Sequence, residues 1–406
     1  MSMRSGHFQP ISTLDVDGVE NVFIYVCDSL RWDFRPPSLA ERGINLRTAV
    51  HGLYTPPGMA SLVSGRYPVR HGVTRFESKV SSAHDTIFDL DTHSTALRHN
   101  QWDGHPIFDL LEQPVGKPLS EINPPFVYFE HDHGAHATYP EFDCSVQETF
   151  RKLSGDRDEL ITHYEHGRRT SVERFEQRVQ TLKDRDLYED TLIVFTSDHG
   201  ELLGEYGGFV GHSLPATPEL VYVPTIFIHP SLPTQEYDDL LIEQVDLLPT
   251  LRDVLDCPAP RAEYDGQSLL QSVDNDRRAY NHGIVHFPGD GLLNRYADPI
   301  YAAQSVWTRE GGHVFTRSNA VKRLLTSVYD GTRSAETGAF NTRTRLNGLT
   351  STLKMYAPRQ RTFGNPSLSR TEAREYCDRL TEETTETWAR PLNEETVEHL
   401  EDLGYR

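Results

Sequence analysis

Apolar residues in the first two thirds of the chain fall in short, uninterrupted runs that end in charged residues. A run of this kind is typical of a strand that is covered on both faces of a sheet. The predicted strands are residues 21–27, 125–129, 191–196 and 223–228. Residues 156–187 instead repeat apolar side chains at helical spacing among charges, which predicts a long amphipathic helix. This alternation predicts an α/β fold with a doubly wound, mainly parallel sheet.

The pattern changes beyond about residue 270. Short alternating segments from 280 to about 329 predict antiparallel strands. Residues 330–370 are polar and Arg-rich and are expected to form loops, whereas residues 392–404 predict a closing helix. We therefore expect a catalytic domain over residues 20–275 and a smaller C-terminal α+β subdomain, with its closing helix, over residues 276–406.

Composition narrows the class of protein. The net charge of −20 argues against nucleic acid as a partner, because a phosphate backbone requires a basic surface. Only 6 of the 40 basic residues are lysines, and an acidic, Lys-poor composition is typical of adaptation to high salt. No apolar run approaches the ~20 residues of a membrane-spanning helix, and the N-terminus lacks the layout of a signal peptide. We therefore expect a cytoplasmic protein without a membrane span.

A hydroxyl group stands at the start of one predicted helix. Thr55 is a favourable N-cap residue, Pro56 and Pro57 suit a first helical turn, and Gly65 ends the apolar run that follows. A helix N-terminus favours an anion such as phosphate or sulfate beside it. Thr55 could attack that anion, although the local pattern by itself favours an ordinary N-cap threonine.

Acidic and imidazole side chains follow three of the predicted strands. Since ligands of open α/β sheets bind at the carboxyl ends of the strands, these side chains converge if the strands are neighbours. Carboxylate and imidazole donors suit zinc or manganese, with magnesium or calcium as alternatives. Two such metals would clamp an in-line displacement, and one of them has to lower the pKa of the threonine hydroxyl. The predicted ligands are Asp28, Thr55, Asp132, His136, Asp198, His199 and His212.

Taken together, several segments resemble the sulfatases of the alkaline phosphatase superfamily. The residues that carry the resemblance are 21–33, 55–73, 191–201 and 211–224, with support from 245–250 and 401–405. Ser-Asp-His-Gly-Glu after a strand, with Ser-Gly-Arg-Tyr-Pro upstream, is a specific combination. The resemblance implies an alkaline-phosphatase-like fold and a metal bound by Asp28, Asp198, His199 and the nucleophile.

The nucleophile position departs from the sulfatase pattern. Sulfatases carry there a cysteine or serine that becomes formylglycine, with Pro two residues on and Arg four residues on. This chain has Thr55, Pro57 and Met59, and the Lys-x-His signature of sulfatases is absent. Thr55-Pro56-Pro57 is instead similar to the Thr-x-Pro of the nucleotide pyrophosphatase/phosphodiesterase branch, which uses an unmodified Thr and two metals.

In that branch an Asp-x-x-x-His pair and a later His hold the second metal. Asp132, His136 and His212 match this arrangement. Pro56 is a departure, because it lacks the N–H that the branch directs at the phosphate, so that the amides of Gly58 and Met59 would have to substitute.

The resulting hypothesis is a two-metal hydrolase that cleaves a phosphomonoester or phosphodiester through Thr55. The alternatives are a sulfuric ester hydrolase without formylglycine, a transferase of a phospho-head-group, and a catalytically silent scaffold. The expected substrate is an anionic ester that is small, glycan-borne or lipid-linked, and its identity and the oligomeric state stay open. Arg66, Arg70 and His71 are the candidate substrate-binding residues.

Overall fold

The computed structural model describes residues 7–90, 93–153, 155–212, 215–285, 299, 301–337, 345–381 and 396. A seven-stranded sheet lies at its centre, with the strand order β10-β3-β9-β6-β2-β5-β4. Only β9 runs antiparallel to its two neighbours, whereas the other pairings in the sheet are parallel. The strands of the central sheet are β2 (Asn21–Cys27), β3 (Ile44–Ala49), β4 (Ser94–His99), β5 (Phe126–Asp132), β6 (Thr191–Thr196), β9 (Tyr222–Ile228) and β10 (Gln235–Glu243).

Two further sheets are smaller and antiparallel. In addition, one short strand near the start of the chain pairs with one near residue 273. In that pair β1 lies against β11, so residues 7 and 8 pair with residues 273 and 274. The strands outside the central sheet are β1 (His7–Phe8), β7 (Leu202–Gly204), β8 (Phe209–Gly211), β11 (Val273–Asp274), β12 (Ala279–Val285), β13 (Tyr301–Thr308), β14 (Gly311–Thr316) and β15 (Gln360–Gly364).

Helices cover both faces of the central sheet. The described α-helices are α1 (Pro37–Ala40), α2 (Thr55–Ser64), α3 (Pro68–His71), α4 (Ile107–Leu110), α5 (Val146–Lys152), α6 (Arg157–Asp184), α7 (Glu205–Gly208), α8 (Pro218–Val221), α9 (Leu247–Val254), α10 (Ala320–Thr337), α11 (Arg345–Tyr356) and α12 (Arg370–Thr381). Short 3-10 turns occur at Val16–Gly18, Trp32–Phe34 and Gln244–Asp246.

The strand β2 shows why the apolar runs are continuous. Its side chains alternate between two hydrophobic clusters, one on each face of the sheet. One face packs with α2 and α9, and the other packs with the long helix α6. Because both faces are covered, the side chains of residues 22–27 are all hydrophobic, and the one polar residue of the strand, Asn21, accepts a hydrogen bond from the backbone N–H of Phe126. The predicted α/β class, the doubly wound, mainly parallel sheet and the long helix over 156–187 are confirmed.

The C-terminal region contains a four-stranded antiparallel sheet of β12, β13, β14 and β15. Antiparallel strands were expected here, but the loop expected over 330–370 is wrong, because α11 and β15 occupy much of it. The helix α10 also extends back to residue 320. Its buried positions are polar, namely Arg323, Thr326 and Ser327, while Val321 and Leu324 are exposed. Because the buried face is polar and the exposed face is aliphatic, the sequence pattern does not predict this helix.

The helix predicted over residues 392–404 lies outside the described residues, apart from residue 396. Among the helices that the structure describes, none is both long enough and apolar enough to span a membrane.

Candidate active site

Two parallel neighbours in the middle of the sheet place acidic residues at the same edge. Asp28 follows β2, and Asp198 and His199 follow shortly after β6, which pairs with β2. The Nε2 atom of His199 lies 3.3 Å from Oδ1 of Asp28 and 3.4 Å from Oδ2 of Asp198. All three side chains are fully buried. In the described part of the chain they are the one set of three such groups close enough to share a metal ion, and we call them the Asp–Asp–His cluster.

The donors of the Asp–Asp–His cluster fit a divalent cation. Oδ1 of Asp198 accepts hydrogen bonds from the backbone N–H groups of His199, at 3.1 Å, and Ser29, at 3.4 Å. Oδ2 of Asp198 is buried and has no hydrogen-bond partner among the described residues. Two buried carboxylates that share one site are costly unless a positive charge offsets them. Oxygen and imidazole donors are the ligands of zinc and of manganese, so the residues present fit the metal that the resemblance implies.

Thr55 reaches this cluster from the helix α2. Its Oγ1 atom lies 3.3 Å from Nε2 of His199. The N-cap residue is Tyr54, so Thr55 is the first helical residue and the N-cap expectation is wrong. At the N-cap, the hydroxyl of Thr55 would accept from the N–H of Pro57, which has none, or from that of Gly58. Gly58 N–H already donates to Tyr54 O, at 3.2 Å, so it is not available for a bound anion in the way that was expected.

The absence of a side chain at Gly58 lets α2 approach the cluster. A Cβ atom there would lie 2.6 Å from the backbone oxygen of Asp198. Glycine at position 58 therefore allows the first turn of α2 to pack closely against the segment that follows β6, where the candidate ligands Asp198 and His199 lie.

Asp132 is turned away from the Asp–Asp–His cluster. Its two carboxylate oxygens accept hydrogen bonds from Nε and Nη2 of Arg174 on α6, at 2.5 and 2.7 Å. Glu130, two residues earlier on β5, pairs in the same way with Arg178, one helical turn further along α6. Side chains at 130 and 132 share a face of the strand, and α6 covers that face. The expectation that Asp132 ligates a second metal is therefore not supported by its contacts.

Replacing Asp132 by asparagine is expected to destabilise the fold and leave the bound metal unchanged. Burial raises the pKa of Asp132, but the hydrogen bonds and charge of Arg174 outweigh it, so this pKa lies below its ordinary value. The stabilisation is therefore present above the unfolded pKa, near 3.9, and is lost as the pH falls further. Removing one partner of a buried ion pair costs roughly 3–5 kcal/mol, measured here by denaturant unfolding at pH 7.

Glu130→Gln is the matched control for this variant, because it breaks the neighbouring pair on the same helix. Both variants should keep the metal content of the parent protein, as measured by mass spectrometry of the metals. A stoichiometric loss of metal in Asp132→Asn, but not in Glu130→Gln, would restore Asp132 as a ligand.

His136 and His212 do come together beside the cluster. Their ring centroids are 4.7 Å apart, and the ring of His212 is 4.4 Å from that of His199. Burial and the neighbouring imidazoles lower the pKa of both residues well below the ordinary value, so both rings are neutral at pH 7. Nε2 of His212 lies 3.5 Å from Oε2 of Glu201, whose pKa is raised to about 8 by burial. Two of the three ligands predicted for a second metal therefore face the site, and Asp132 does not.

His131 reaches the cluster although it was not among the predicted ligands. Its Nε2 atom lies 3.6 Å from Oδ2 of Asp28 and 3.9 Å from Oδ2 of Asp198. The period-two alternation of β5 contains the signal, since a strand that presents residues 130 and 132 to α6 presents 131 to the opposite face. Asp132 was predicted instead because it forms an Asp-x-x-x-His pair with His136.

The three residues predicted to bind substrate have internal partners. Nη2 of Arg66 donates to the backbone oxygen of Glu263, and Arg70 forms an ion pair with Asp265, at 2.8 Å. Both ring nitrogens of His71 have hydrogen-bond partners, of which Ser61 Oγ is one, at 3.0 Å. These contacts stabilise the turn after α2 and give no support to a role in binding substrate.

Comparison with known proteins agrees with this architecture. The family model described as Sulfatase matches residues 109–257, and the model described as Type I phosphodiesterase / nucleotide pyrophosphatase matches residues 27–176. A solved 2-O GAG sulfatase superposes with a TM-score of 0.56 at 16% identity, covering 74% of this chain and 83% of that chain. Phosphonate monoester hydrolase of Agrobacterium radiobacter superposes with a TM-score of 0.55 at 15% identity, covering 73% and 87%. These two likenesses show the fold.

Comparison with curated relatives identifies the family of the chain. The chain is 34% identical over 414 residues to the low-salt glycan biosynthesis sulfotransferase of Haloferax volcanii, and the match covers 98% of this chain and 99% of that protein. It is 22% identical over 184 residues to arylsulfatase K of Canis lupus familiaris, a match that covers 45% of this chain and 31% of that protein. The end-to-end match and the sulfatase family model together show that the chain belongs to the sulfatase family of the alkaline phosphatase superfamily, a family of ester-hydrolysing enzymes.

Proposed function

We propose that this protein moves a sulfuryl group through a covalent ester on Thr55, with one divalent metal held by Asp28, Asp198 and His199. The observation that carries the proposal is the 3.3 Å contact between Thr55 Oγ1 and Nε2 of His199, within the buried Asp–Asp–His cluster. The sulfuryl group and a glycan acceptor are suggested by the relative from Haloferax volcanii, whose printed name is that of a glycan biosynthesis sulfotransferase.

The metal and the neighbouring imidazoles would have different roles in the reaction. A divalent cation at the cluster lowers the pKa of the threonine hydroxyl and offsets the negative charge of the ester. The neutral imidazoles of His136 and His212 lie beside it, and each can donate an N–H to an ester oxygen or accept the proton that Thr55 releases. His136 is buried and the side chain of His212 is only 12% exposed, so bulk water competes little for these hydrogen bonds.

In the first step Thr55 Oγ bonds to the sulfur, and the bond from sulfur to the ester oxygen breaks. The departing alcohol takes up a proton as it leaves. In the second step an acceptor hydroxyl attacks the same sulfur, the bond to Oγ breaks, and Thr55 recovers its proton. An unmodified threonine has no aldehyde hydrate from which sulfate could be eliminated, so release always needs this second attack. Water as acceptor gives hydrolysis, and a sugar hydroxyl gives transfer.

Phosphate ester hydrolysis is the second candidate. It is favoured by the unmodified Thr55 and by the match of residues 27–176 to the phosphodiesterase model. The contacts of Asp132 with Arg174 weaken it, since they leave the second metal of that branch without its carboxylate. One described cluster of ligands is better suited to the smaller charge of a sulfate ester than to a phosphomonoester dianion.

The test uses the full chain loaded with Mn²⁺ or Zn²⁺ and aryl sulfates, aryl phosphates and bis-aryl phosphates as matched substrates. We expect the highest kcat/KM with the aryl sulfate and a sulfated Thr55 after rapid quenching, identified by mass spectrometry. A simple glycoside should raise the release of the aryl alcohol without raising free sulfate. A higher kcat/KM with either phosphate ester would favour the second candidate, and metal-loaded protein without turnover of any ester would contradict both.

A further inference from the structure

His131 is a buried polar side chain with unusual surroundings. It is fully buried, and neither ring nitrogen has a hydrogen-bond partner among the described residues. A buried polar atom without a partner costs roughly 1–3 kcal/mol, so two on one ring call for an explanation. The ring packs against that of His99, with the two centroids 5.2 Å apart, but this contact gives neither ring nitrogen a hydrogen-bond partner.

Distances explain where Nε2 of His131 is directed. It lies 3.6 and 3.9 Å from the Oδ2 atoms of Asp28 and Asp198, which is too long for direct hydrogen bonds. Donor atoms that surround one tetrahedral zinc ion at about 2.0–2.2 Å are roughly 3.3–3.6 Å from one another. The separations of His199 Nε2 from the same carboxylates are 3.3 and 3.4 Å. His131 therefore stands at about the spacing of a metal ligand.

The orphaned atom of Asp198 supports the same interpretation. Its Oδ2 has no hydrogen-bond partner among the described residues and lies between two imidazole nitrogens, from His199 and His131. Two carboxylates that converge with two imidazole nitrogens repel each other unless a cation lies among them.

We infer that His131 supplies an additional nitrogen ligand to the metal of the Asp–Asp–His cluster. This inference rests on the proposed metal site and deepens it, because it assigns a ligand that neither the sequence pattern nor the resemblance supplied. Two imidazoles beside two carboxylates favour zinc, cobalt or manganese, whereas magnesium and calcium prefer oxygen donors throughout. His131 thus sets which metal the enzyme selects.

The decisive variant is His131→Ala, prepared as the full chain without metal and titrated with Zn²⁺ and Mg²⁺ separately. We expect the Kd for Zn²⁺ to rise by roughly 100-fold or more, because the loss of a direct ligand costs at least as much as the loss of an outer partner. The Kd for Mg²⁺ should change by no more than about threefold, because Mg²⁺ is held mainly by carboxylates and water. An equal loss for both ions, or none for Zn²⁺, would overturn the inference.

His99→Ala is the matched control, since it removes a buried imidazole from the same neighbourhood without touching the carboxylates of the cluster. Its Kd for Zn²⁺ should stay at the parent value. If His131→Ala does not fold, X-ray absorption of the cobalt-loaded parent protein decides instead by counting imidazole ligands. Two imidazoles support the inference, and a single one contradicts it while leaving the proposed function intact. Parent protein that binds no metal contradicts both.

Discussion

Thr55→Ala is expected to lower kcat/KM by about 10⁴-fold or more on the best ester substrate, because it removes the proposed nucleophile, whose Oγ1 lies 3.3 Å from Nε2 of His199. The metal should remain bound, since Asp28, Asp198 and His199 are unchanged and lie close enough to share an ion. Activity is measured with the aryl esters named above, and metal content on the same protein samples. Thr55→Ser should retain part of the activity, because it keeps the hydroxyl at the same helical position.

Ser61→Ala is the control for effects on the helix. Ser61 lies on the same buried helix as Thr55, and its hydroxyl contacts His71, outside the cluster. This variant should lose some stability and keep kcat/KM within about threefold, since most substitutions outside a site act through stability alone. If Thr55→Ala retained the turnover of the parent protein, Thr55 would not be the nucleophile, whatever the behaviour of Ser61→Ala.

Asp198→Asn is expected to have the second largest effect, with loss of the metal and of nearly all turnover. The amide removes one of the two negative charges that bind the cation, so the affinity should fall by roughly 100-fold or more. The same change removes like-charge repulsion between Asp28 and Asp198, and the metal-free variant should be more stable than the metal-free parent by about 1 kcal/mol. Metal analysis and thermal unfolding in the presence of a chelator measure the two effects.

Asp265→Asn separates the loss of a ligand from the loss of a buried carboxylate. Asp265 is also nearly buried, and it pairs with Arg70 and accepts from the backbone N–H of Tyr67. Its replacement should lower stability and leave the metal content unchanged. Opposite signs of the stability change in the two variants would mark Asp198 as a residue kept for function, and the same sign in both would contradict that interpretation.

The C-terminal sheet is linked to the cluster through one segment of the main domain. Arg277, just before β12, forms a buried ion pair with Glu243, at 2.7 Å, and a second one with Asp246. Between those two residues, Gln244 donates its side-chain N–H to the backbone oxygen of Asp198, at 3.1 Å. The division at residue 275 expected from the sequence therefore falls two residues before a contact that stabilises the cluster, and we propose that the C-terminal subdomain supports the site through it.

The pattern of apolar and polar residues predicted an element correctly where both faces of a strand are buried or where one apolar face of a helix is buried. The strands around Asp28 and Asp198 were predicted because their runs are covered on both faces, and the long helix because its apolar stripe faces the sheet. The helices α10 and α11 were missed, since α10 buries polar residues and exposes aliphatic ones. Periodicity predicts an element only when the buried side is the apolar side.

The sequence by itself determined the class of fold, and its resemblance to a known family grouped Asp28, Thr55, Asp198 and His199 as one predicted site. Only the tertiary structure decided which side chain of β5 joins them. Neighbouring residues on a strand point to opposite faces, and the face reserved for α6 depends on Arg174 and Arg178, which lie more than 40 residues further along the chain. Asp132 is therefore held in an ion pair, and His131 faces the candidate metal ligands.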